Sequence, residues 1–103
     1  MSADRELLEL AAKAAELHGF WVDAGLNVGS DAAPKIWNPL TDDGDALRLA
    51  VKLRMDVKQW NSLVIAVKAW NSHAEENTFT QCPYAATRRA IVRAAAAIGK
   101  GQI

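Results

Sequence analysis

The chain has 103 residues, half of them apolar and 23% charged, a globular composition that argues against disorder and suits one modest core rather than two. Its 12 Lys and Arg balance 12 Asp and Glu, so no net charge draws the whole molecule to nucleic acid or an anionic membrane. The single cysteine, Cys82, excludes an internal disulfide and is compatible with a reducing cytosol; no apolar run is fit for a signal-peptide core or a bilayer span, so a cytoplasmic protein is expected.

A first helix is predicted from Ser2 or Ala3 to near His18, with Gly19 as its terminator. Leu7, Leu10, Ala11, Ala14 and Leu17 form its apolar stripe, opposite Arg5, Glu9, Lys13 and Glu16. Glu9 and Lys13 lie four apart and add a favourable pair. His18, near the apolar side at the helix end, reads as a cap or packing residue in preference to a ligand. The aromatic and β-branched run Phe20 to Leu26 is a short strand or an extended edge. Residues Asn27 to Lys35, rich in Gly, Ser, Asp and Pro34, predict an exposed loop without a phosphate-cradling glycine motif.

The most legible stretch runs from Trp37 to Leu53. Pro39 disfavours helical geometry at Asn38, so Ile36-Trp37-Asn38 should be extended. Thr41 or Asp43 can cap the next helix, and Asp42, Asp43 and Asp45 place negative charge at its positive end. Stepping residues by about 100° puts Ala46, Leu47, Leu49, Ala50, Val51 and Leu53 on a buried face and Asp45, Arg48 and Lys52 on a wet one. The aspartates lack the ligand spacing of a calcium loop, so capping is the preferred reading.

Val57 to Trp70 fits both a strand and a helical pattern. The density of Val and Ile, and the bracketing Asn61-Ser62 and Asn71-Ser72, favour a strand covered on both faces. Asn71 to Asn77 then reads as a polar hairpin loop and Thr78 to Cys82 as the returning strand. Pro83 ends that strand near the start of a last helix. There Tyr84, Thr87, Ile91, Ala94, Ala95 and Ile98 face one way and Arg89, Arg93 and Lys100 the other, with Gly99 and Gly101 marking the end and residues 100–103 a short tail.

Two blocks, Trp37 to Leu53 and the alanine-rich Ala85 to Gly99, carry a resemblance. Together they resemble small uncharacterised bacteriophage and prophage proteins similar to the phage domain described as an α-β-α sandwich. In those proteins a Trp-x-Pro-x-Thr-Asp-like turn opens a helix and an Ala-rich helix closes the domain. The resemblance implies a phage origin and that fold, and it carries no site residues.

Arg88, Arg89, Arg93 and Lys100 form the one unmixed charge cluster, since no acid occurs from Gln81 onward. Such a face can bind phosphates, though a solvated helix face is the preferred reading. Trp21, Trp37, Trp60 and Trp70 mark either core or a binding surface, with core preferred. A thiol enzyme would need Cys82 activated by His73 or His18, and these three residues lack metal-site spacing. The expected protein is a single α+β domain over residues 1–103, with about three helices packed on a small, mainly antiparallel sheet. No catalytic, cofactor or metal residues are assigned. The function expected is a noncatalytic accessory module acting through a protein partner in a bacterial host; the alternative is a nucleic-acid binder using the basic last helix.

Overall fold

A computed structural model describes residues 3–60, 63–67, 73–77 and 82–101. The element order is α1 (Ala3–Ala14), β1 (Phe20–Val22), β2 (Gly25–Asn27), β3 (Ile36–Trp37), α2 (Asp43–Lys52), β4 (Asp56–Gln59), β5 (Leu63–Val67), β6 (His73–Asn77) and α3 (Pro83–Gly101). The chain is α+β, with its strands divided between two three-stranded antiparallel sheets, β1-β2-β3 and β4-β5-β6. The helix α3 is the hub and packs against α1, α2 and the second sheet.

Alanine is what lets α3 serve so many neighbours. Ala86, Ala90, Ala94 and Ala95 are fully buried with Val92, so helices and sheet approach its backbone closely. Gly99, expected as a terminator, lies inside the helix, which continues through Gly101 into the segment expected to be a tail. A Cβ on Gly99 would overlap the carbonyl oxygen of Leu10, so its role is to let α1 and α3 touch.

The ends of α1 and α2 share one device. Beyond α1, Glu16 takes a left-handed φ of 58°, while the Glu16 and Leu17 amides donate to Lys13 and Ala12. Beyond α2, Arg54 has φ 56°, and the Arg54 and Met55 amides donate to Val51 and Ala50. Both are Schellman motifs, in which the residue after the left-handed one folds back apolar; Leu17 and Met55 pack against the core as that pattern requires. Gly19 is therefore not the terminator of α1, and His18 lies exposed beyond the helix rather than packed at its end.

The run read as one strand from Phe20 is a hairpin, with Trp21 opposite Leu26 and a two-residue turn at Asp23-Ala24. Asn38 Nδ2 holds that turn by donating to the Ala24 carbonyl at 2.8 Å. Gly25, at φ 146°, lies so close to the Trp37 carbonyl that a Cβ would overlap it. Asn27 is buried, and its Oδ1 accepts from the Gly29 and Lys35 amides, which closes the loop of residues 28–35.

Where it is described, Val57 to Trp70 forms strand and not helix, but the single strand expected is corrected to two: β4 and β5 pair antiparallel with Val57 opposite Ala66, and residues 61–62 and 68–70 lie outside the described residues. Val64 and Ala66 are buried beneath α3, but Leu63, Ile65 and Val67 are half-buried, so β5 is fully covered on one face and not on both. The expected hairpin loop is corrected: His73–Asn77 is the strand β6, paired to β5 with Ala66 opposite Ala74. The expected return strand at Thr78 to Cys82 falls on residues outside the description, apart from Cys82, which precedes α3.

Candidate docking surface

The orientation of α2 is set by a residue that its sequence pattern assigns to solvent. Asp42 caps the helix by accepting from the Asp45 amide at 2.8 Å, a role expected of Thr41 or Asp43. Asp45 is buried at 6% exposure, where its carboxylate accepts from the Asn38 amide at 2.9 Å and from Arg48 at 2.8 Å. A buried carboxylate held by a backbone N–H and a guanidinium is satisfied. Its burial turns the helix so that Asp45, Ala46, Leu49, Ala50 and Leu53 face inward.

Leu47 and Val51 consequently point outward, 64% and 67% exposed, and not into the core as their apolar character suggests. A groove of about 640 Å³ opens beside Leu47. Its floor is α3, with Tyr84, Thr87 and Ile91; Ala46, Leu47 and Ala50 of α2 form one wall, and Val57 and Gln59 of β4 the other. Tyr84, expected on the packed face of α3, is 69% exposed at the groove. Trp60, just past β4, is also exposed, whereas Trp37 is buried and Trp21 is half-buried beneath the Arg5 guanidinium, 4.5 Å from its ring centre. Trp70 lies outside the described residues.

The basic residues of α3 are dispersed by their partners. Arg88 reaches toward α2, donating to Asp43 at 2.6 Å and to the Leu40 carbonyl at 2.8 Å. Arg89 donates to Asp4 at the start of α1 at 2.9 Å, and Arg93 to Glu76 and the Glu75 carbonyl of β6. These arginines tie α3 to three separate elements, while Lys100 is exposed near the far end of the helix. A phosphate approaching this helix would have to compete with a carboxylate at each of the three.

A second, more polar cleft of about 510 Å³ lies between α1 and β1, lined in part by Glu9, Lys13, Glu16, His18 and Trp21. Among the described residues, no group of three or more His, Cys, Asp or Glu could hold a metal ion. Cys82 is exposed, its carbonyl accepting the Ala86 amide in the first turn of α3. No helix of the described residues is long and apolar enough to cross a membrane.

The groove escaped the sequence reading, although α2 carried a signal for it. Five apolar residues among the ten of α2, with Leu53 as its C-cap, are more than one buried stripe holds, and Leu47 and Val51 are the two left outside it. No protein-family model matches the chain, and no curated protein or solved structure matches it either.

Proposed function

We propose that this chain is a noncatalytic protein-interaction module whose docking surface is the apolar groove between α2, α3 and β4. The observation that carries the proposal is the pair Leu47 and Tyr84, large and exposed, lining an apolar recess, with Val51 exposed one turn further along α2 from Leu47. Clustered exposed apolar side chains rimmed by charge mark protein contact sites, and Tyr is among the residues that supply most binding energy there. The biological setting we propose is that of a bacteriophage or prophage accessory protein working in the host cytoplasm, the kind of protein its two helical blocks resemble.

The test is affinity capture of a protein partner from bacterial cells producing the tagged chain. Capture should be lost in the double variant Leu47→Glu with Tyr84→Glu and kept in Arg89→Glu with Arg93→Glu. The reverse pattern would move the contact to the basic side of α3 and refute the groove.

A further inference from the structure

We infer that the partner at this face is a second copy of the chain, related by a two-fold axis that sets α2 antiparallel to its mate. The inference rests on reading this face as a docking surface and names the occupant.

Charge complementarity carries it. At the N-terminal end of α2, Asp42, Asp43 and Asp45 outnumber the two arginines that engage them, Arg48 and Arg88, and at its C-terminal end the exposed bases Lys52 and Arg54 outnumber the exposed Asp56, so a net acidic end faces away from a net basic one. A helix so divided is complementary to itself only when antiparallel, where each acidic end meets a basic end and the two helix dipoles oppose. A parallel pair would place acid on acid and base on base.

Shape agrees with charge. Leu47 and Val51 are four residues apart and form one outward ridge between the charged ends. In the antiparallel pair centred on that ridge, Leu47 of one copy meets Val51 of the other. Leu47 also borders the recess floored by Tyr84 and Ile91, so each copy brings both a ridge and an adjoining hollow. That is what an isologous contact requires: the same patch serves on both sides. With only ten residues in α2, the helix contact is short, and the pair should be in reversible exchange with monomer.

Sedimentation velocity of the full chain from ~10 µM to ~1 mM tests this. The mean mass should rise toward twice the monomer value for the native chain and stay at the monomer value for Leu47→Glu, whose far-ultraviolet circular dichroism should be unchanged. Disulfide trapping in a Cys82→Ser background reads the orientation. A mixture of Leu47→Cys and Val51→Cys chains should cross-link faster than either alone, whereas fastest linkage by Leu47→Cys alone would indicate a parallel pair and overturn the proposal. A native chain that remains monomeric throughout also overturns it. In that case, a photo-reactive side chain at position 47 that joins a different protein in cells would leave the docking surface standing; one that joins nothing would remove both.

Discussion

Single residues carry consequences that can be measured one at a time. Trp37 is buried against α2, and Pro39 beside it is fully buried. Trp37→Ala should therefore lower unfolding free energy by about 3–5 kcal/mol, as large-to-small core changes do; an unchanged urea midpoint would contradict its place in the core. Pro39 made the extended Trp37-Asn38 segment legible, because the restriction it imposes is local. Asp45 was not legible, since its burial depends on the amide of Asn38, seven residues away, arriving in reach only after the chain turns. Asp45→Ala should cost about 1–3 kcal/mol through the Asn38 amide it strands, measured by the same denaturation. Glu16 gives the opposite sign. It holds a left-handed φ that glycine adopts without strain, so Glu16→Gly should raise stability by about 0.5–1 kcal/mol after allowing for the unfolded-state entropy of glycine.

At the scale of elements, helix starts were easier to read than helix ends or face assignments. An Asp-rich turn followed by apolar spacing located the start of α2 because capping is a matter of neighbouring residues. The ends were hidden because Glu16 and Arg54 occupy positions where glycine is the usual signal; the remaining clue was an apolar residue just after each. The strand β6 was missed for a similar reason: Glu75, Glu76 and Asn77 have poor strand preference, and pairing with β5 overrides it while Arg93 engages Glu76. The arginines of α3 were found as a cluster, but their carboxylate partners lie up to 85 residues away in sequence. Because those pairs are mainly structural, titration with single- or double-stranded DNA at low salt should give no binding. Salt-sensitive binding abolished by Arg89→Glu with Arg93→Glu would contradict that expectation.

On the whole-molecule scale, α3 organises the fold: α1, α2 and the second sheet all rest on it, and its arginines bind them at their edges. The class could be read from alternating local patterns, but the division of strands between two sheets is a matter of long-range pairing that no local pattern encodes. The close approach of α1 to α3 at Gly99 gives a global prediction. Gly99→Val should force the two helices apart and lower the thermal midpoint; an unaltered midpoint would mean that the contact does not hold the molecule together. With the basic side of α3 tied inward, the apolar recess beside it is the surface we propose for a partner. The most direct test is a photo-cross-linking scan in bacterial cells, with the reactive side chain placed in turn at Leu47, Val51 and Tyr84, and at Lys13, Ala32 and Lys100 as exposed positions elsewhere. Adducts confined to the first three are predicted; equal yields at all six, or adducts at Lys100 alone, would contradict a docking surface in the groove.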